Sequence, residues 1–111
     1  KRSIPADITD ELRNNIEELA KKAFTTIDGR GNARIDFLVN ESGDVFVNEI
    51  NTLPGSVAFY LWEGRGYDFK TLINKMMDIA LITHKEKNEN MYTFESNLLN
   101  RTIYGSKGGK M

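Results

Sequence analysis

Residues 33–56, ARIDFLVNESGDVFVNEINTLPGS, carry an arginine, two carboxylates and a carboxamide at spacings that gather them on one face of a β-hairpin. Alternation sends Arg34, Asp36, Leu38 and Asn40 to one side and Ile35, Phe37 and Val39 to the other. On the second strand it groups Val45, Val47, Glu49 and Asn51 against Phe46, Asn48 and Ile50. A two-residue turn at Ser42-Gly43, with Gly43 taking the positive φ such turns demand, sets Glu41 opposite Asp44. Asp36 then falls opposite Glu49 and Arg34 opposite Asn51. Like charges opposed across a sheet repel, with Cβ atoms about 5 Å apart. A hard divalent cation offsets that repulsion, because Mg²⁺ takes carboxylate and amide oxygens and leaves positions for water and phosphate. The bland alternative is a solvated face with Arg34 as counter-ion, and a three-residue loop with a bulge would shift the pairing.

Pro54-Gly55 begins three residues after Asn51. A glycine there offers a backbone N–H that no Cβ obstructs; taken alone, the pair is an ordinary strand-to-helix turn.

The strings RIDF, NEIN and TLPG, in this order and spacing, resemble the closing part of the ATP-dependent D-alanine–D-alanine ligases of the ATP-grasp superfamily. The likeness runs from about Pro5 to near Lys87. It implies a carboxylate–amine ligase that makes an acyl phosphate from D-alanine and ATP, then a dipeptide for peptidoglycan. It implies Asp36, Glu49 and Asn51 as ligands of Mg²⁺ (or Mn²⁺), with Glu49 bridging two ions, and Asn48 and Glu49 as residues meeting the nucleotide. Arg34 is implied as the group that steadies the transferring phosphoryl, and Gly55 as the backbone donor to the oxyanion. Gly55, Ser56 and Tyr60 are implied along the amino-acid substrate. Phosphoryl transfer needs in-line positioning and cations more than covalent work, and a guanidinium fork suits phosphate.

The family commonly places a serine five positions after the turn glycine, where this chain has Tyr60. A phenol also donates a hydrogen bond but reshapes the subsite, so D-alanine, D-serine and D-lactate stay open as second substrate. The family's N-terminal substrate domain and central nucleotide-gripping domain have no counterpart in these 111 residues. The resemblance therefore implies the C-terminal piece of a ligase, inactive alone. Two other readings stand beside it: another ATP-grasp ligase using a different D-amino or hydroxy acid, and a non-catalytic metal-binding or interaction module.

The net charge is −1 with signs mixed, which gives no reason to expect a nucleic-acid or membrane partner. Without cysteine there is no thiolate chemistry and no cysteine zinc site, and a cytoplasmic protein is expected. The start at Lys1 suggests a cut inside a longer protein.

A single domain over 1–111 is expected, and its elements must position the hairpin. Pro5 to Ile27 reads as a helix starting near Thr9, with Leu12, Ile16, Leu19, Ala20, Ala23 and Ile27 as its apolar stripe and Gly29 as its stop. Ser56 to Trp62 reads as a short helical turn broken by Gly64-Arg65-Gly66. The aromatics Phe59, Tyr60, Trp62 and Tyr67 read as packing there, or as the lining of a slot. Asp68 caps a second long helix bearing Phe69, Leu72, Ile73, Met76, Met77 and Ala80, ending near Lys87 with His84 on the surface. From about 88 an arm or short strand with Tyr92, Phe94, Leu98 and Leu99 is expected, and 105–111 as a flexible end. The fold class is α/β of the layered α+β kind: a small antiparallel sheet on the hairpin, with two long helices packed on its apolar face. An exposed sheet edge predicts self-association, hence a homo-oligomer.

Overall fold

The computed structural model describes the backbone of residues 2–104 and the side chains of residues 2–91. In chain order it runs α1 (Asp10–Thr26), β1 (Arg34–Val39), β2 (Val45–Asn51), a 3-10 turn (Gly55–Ala58), α2 (Phe59–Trp62), a second 3-10 turn (Glu63–Arg65) and α3 (Phe69–Tyr104). The two strands form an antiparallel sheet, so the α/β class expected from the sequence holds.

Helix α1 begins where its residues dictate. Thr9 is extended (φ −64°, ψ 154°) and its hydroxyl accepts from the Leu12 N–H, while Asp10 and Glu11 sit at the positive end of the helix dipole. Its end differs from expectation in mechanism. The left-handed residue is Asp28 (φ 51°), not Gly29. Asp28 N–H donates to the Thr25 carbonyl at 3.1 Å and Gly29 N–H to that of Phe24 at 2.9 Å, the paired bonds of a Schellman cap. Gly29 serves proximity instead: a Cβ there would run into the Phe24 ring.

Helix α1 packs against β2, whereas α3 docks on α2. Helix α3 reaches back to the loop before β1 through Arg30 and Glu86, 3.6 Å apart, and Arg65 bonds to Glu17 of α1. Of the two long helices, α1 is the one in close contact with a strand. Apolar burial is thin: Ala58 and Leu72, at 3% and 5% exposed, are the core among the described residues. The radius of gyration is 22.0 Å, against about 13 Å for a compact domain of this length.

Asp68 caps α3 as expected, its carboxylate accepting the Thr71 N–H at 2.8 Å. The helix then continues to Tyr104, so no strand begins at 88 and His84 lies mid-helix, its Nε2 3.1 Å from the Asn88 amide. The inward stripe is Leu72, Ile73, Met76, Ile79 and Thr83. Phe69 and Met77, expected inside, are more than half exposed. The segment 105–111 lies outside the described residues. No helix among the described residues is long and apolar enough to cross a membrane.

Candidate active site

The hairpin has the three-residue loop and the bulge, yet keeps the pairing they were expected to shift. Asp36 does lie opposite Glu49 and Arg34 opposite Asn51. Nearer the loop, however, Phe37 pairs with Val47, Leu38 with Phe46 and Val39 with Val45. The loop has three residues, not two. Asn40 N–H donates to the Asp44 carbonyl and Gly43 N–H to that of Asn40, each at 3.1 Å, with Gly43 at φ 86°. The extra loop residue shifts the register by one, and a bulge that leaves Asn48 without a partner shifts it back.

The loop and bulge change the faces. Ile35, Phe37 and Val39 now share theirs with Ile50, Val47 and Val45, so Val45 and Val47 do not lie with Glu49 as simple alternation had them. The other face carries Arg34, Asp36 and Leu38 with Asn51, Glu49 and Phe46. Bulges commonly re-aim a side chain beside a site, and here the bulge lets one strand be apolar near the loop and polar at its far end.

On the polar face Arg34 grips Asp36 in a fork, Nε to Oδ1 at 3.0 Å and Nη2 to Oδ2 at 3.3 Å. The hydrogen bonds and charge of Asp36 raise the arginine's pKa further above its ordinary value, with Tyr60 and Glu49 adding to the effect. Arg34 is therefore charged at any working pH. The pair uses one Nη, leaving the other nitrogen of the fork for a further acceptor. Asn51 is half-buried, and its side-chain oxygen accepts the Leu53 N–H at 3.0 Å, fixing the exit of β2.

The next turn is unusual. Ser56, Val57 and Ala58 have φ of 50°, 50° and 51°, three consecutive left-handed non-glycine residues. Such conformations cost about 1–2 kcal/mol each, and more for a β-branched valine, so surrounding contacts must impose them. Pro54 and Ala58 anchor the turn by burial, while Gly55 and Ser56 stay exposed. Val57 N–H closes the turn on the Pro54 carbonyl at 2.9 Å. The N–H groups of Gly55 and Ser56 have no acceptor among the described residues. Gly55 has no positive φ, and a Cβ there would meet nothing within 4 Å. The fold itself does not require glycine at that position.

Tyr60 stands beside this face. A groove of about 480 Å³ is lined by Arg34, Asp36, Tyr60 and Leu61, closed on one side by Arg2 to Ile4. The other aromatics pack: Phe59 on Phe69 at 5.5 Å and Trp62 on Tyr67 at 5.6 Å, both edge-on.

One residue with a role at this site gave no signal in the sequence. Asn32 is 7% exposed; its amide nitrogen donates to the Val57 carbonyl and its oxygen accepts from Trp62 Nε1 at 3.1 Å. Nothing in Gly-Asn-Ala marks it, because both partners lie at least 25 residues away.

The D-alanine-D-alanine ligase from Coxiella burnetii superposes on this chain with a TM-score of 0.80 at 29% identity, covering 84% of this chain and 28% of that one. The family model described as D-ala D-ala ligase C-terminus matches residues 1–78. The chain belongs to that family. It is 37% identical over 100 residues to the D-alanine--D-alanine ligase of Thermosipho africanus, and 42% identical over 95 residues to that of Bacillus velezensis. These matches cover 90% and 82% of this chain and 27% of each relative, so the chain spans about a quarter of their length.

Proposed function

We propose that the protein carrying this chain is an ATP-dependent D-alanine–D-alanine ligase, and that the hairpin and turn form the metal- and oxyanion-binding part of its active site. The observation that carries the reading is the juxtaposition of Asp36 with Glu49, and Arg34 with Asn51, on one face that leads directly into the exposed Gly55 and Ser56 N–H groups.

The donor set suits a hard divalent ion: two opposed carboxylates and a neighbouring amide oxygen. Asp36, Glu49 and Asn51 would hold Mg²⁺ or Mn²⁺, with Asn48 and Glu49 meeting ATP. Bound there, the ion supplies positive charge to the phosphate oxygens. The chain's own groups do the rest. Arg34, poised by Asp36, steadies the transferring phosphoryl group through its remaining donors. The Gly55 and Ser56 N–H groups, without an acceptor among the described residues, would donate to the oxyanion. Ser56 and the Tyr60 phenol, the latter in the groove with Arg34, meet the amino-acid substrate and set which second substrate fits. The whole protein acts in the cytoplasm, where ATP is supplied, as a homo-oligomer.

The test is the full-length protein with ATP, Mg²⁺ and D-alanine, followed by ADP release and dipeptide formation. One ADP per D-alanyl-D-alanine is expected. Preferred consumption of D-serine or D-lactate as second substrate would move the reading to a ligase of different specificity. ADP release with none of these would contradict it.

A further inference from the structure

We infer that Asn32 is a positioning residue for the oxyanion-binding turn: its buried amide holds Val57 in its left-handed conformation, and with it the turn that carries the unbonded Gly55 and Ser56 N–H groups. The inference rests on the ligase reading for what the turn does, but not for how the turn is held.

Three observations converge. Ser56, Val57 and Ala58 occupy a conformation that L residues rarely adopt, and a β-branched residue least of all. Relaxation to the right-handed region would swing the preceding N–H groups away from their present direction. Second, the Val57 carbonyl at the centre of this run accepts from the Asn32 amide. Third, Asn32 is itself fixed: it is nine-tenths buried, it stands two residues before Arg34 at the start of β1, and its oxygen takes the Trp62 indole N–H. One side chain thus ties the turn to the strand that carries Arg34 and Asp36, and to the helix after the turn. A buried amide with both ends satisfied resists displacement, and removing it leaves Val57 and Trp62 with unmet groups.

The consequence for chemistry is specific. In the second half of the reaction the amine nitrogen attacks the acyl-phosphate carbonyl. A C–N bond forms, the carbonyl oxygen takes up negative charge, and the C–O bond to phosphate breaks as inorganic phosphate leaves and the amine sheds its proton. A misaligned turn slows this step more than the preceding phosphorylation. The waiting acyl phosphate is then lost to water, which returns D-alanine and phosphate. ADP made therefore exceeds dipeptide made.

The experiment uses the full-length protein with Asn32→Leu, which keeps volume and removes both bonds, and Asn32→Asp, which keeps the acceptor for Trp62 and loses the donor to Val57. Two readouts are taken: hydrogen exchange at the Val57 to Phe59 amides without substrate, and the ratio of ADP to dipeptide under turnover. Both variants are expected to speed exchange in the turn, to lower dipeptide formation by at least about tenfold, within the loss seen when an oxyanion donor is removed, and to raise the ratio above one. The ratio does not depend on the fraction of active enzyme, and exchange over α1 and β1 serves as the control for global unfolding. Unchanged exchange in the turn would overturn the inference. So would a ratio that stays at one while turnover falls and exchange rises equally over α1 and β1, the mark of general destabilisation. If the unaltered protein makes no dipeptide, the ligase reading fails by itself, and local acceleration of exchange alone then decides the role of Asn32. If Asn32→Leu does not fold, Asn32→Asp carries the test.

Discussion

Replacing Glu49 by Gln separates a ligand from a structural residue, because the two roles predict opposite balances of stability and turnover. Asp36 and Glu49 are paired directly across the hairpin, which places their Cβ atoms about 5 Å apart. Two unit charges at that separation repel by about 0.8 kcal/mol in water, and by about 0.4 kcal/mol once physiological salt screens them. The Arg34 fork on Asp36 already takes part of this repulsion away. Glu49→Gln should therefore leave the metal-free full-length protein as stable as before or up to about 0.4 kcal/mol more stable, a Tm change within about 1–2 °C. Asp36→Asn should do slightly worse than Glu49→Gln, because it also removes the partner of Arg34. Turnover should fall by about a hundredfold or more in both, about 2.7 kcal/mol of lost transition-state stabilisation. Thermal unfolding without metal and steady-state ADP release, on the same preparations, give both numbers. A Tm loss of the size seen for core damage, or turnover within a few-fold of the unaltered protein, would refute the reasoning.

Other outcomes follow from particular contacts. Gly29→Ala should lower Tm, because its Cβ meets the Phe24 ring, whereas Gly55→Ala should leave Tm unchanged, since nothing lies within 4 Å, and slow dipeptide formation. The cap at Asp68 gives a pH dependence: bonds from Thr71 hold its carboxyl below the ordinary range. Its contribution is full above the unfolded-state pKa and disappears as pH falls through the lowered folded value. The Tm difference between unaltered protein and Asp68→Ala should thus be constant near neutrality and vanish in acid. The isolated 111-residue chain should self-associate, since Leu38 and Phe46 on one hairpin face are 59% and 55% exposed and Val39 and Val47 on the other more than two-fifths. A clean monomer in sedimentation at high concentration would count against this.

Local signals were legible in the sequence and distant ones were not. Thr9 and Asp68 cap their helices as their residue types require, because a cap bonds only two or three positions onward. The opposition of Asp36 and Glu49 was legible as well, though for a partly mistaken reason. A three-residue loop and the Asn48 bulge each move the register by one and cancel, so the far end of the hairpin is right while the faces of Val45 and Val47 are reversed. Alternation carries no mark of a bulge. The left-handed run at Ser56–Ala58 was illegible because contacts made elsewhere impose it, chiefly by Asn32 across 25 residues. Helix α3 outran its expected end because its apolar stripe fades before the helix does, and periodicity reports burial, not helicity.

The most direct test of the central claim is to locate the metal by the anomalous scattering of Mn²⁺ in crystals of the full-length protein with ADP and phosphate. Manganese is expected bound by oxygens of Asp36, Glu49 and Asn51, with Glu49 between two ions. Manganese held elsewhere, with the Arg34–Asp36 fork intact and Glu49 in solvent, would contradict it.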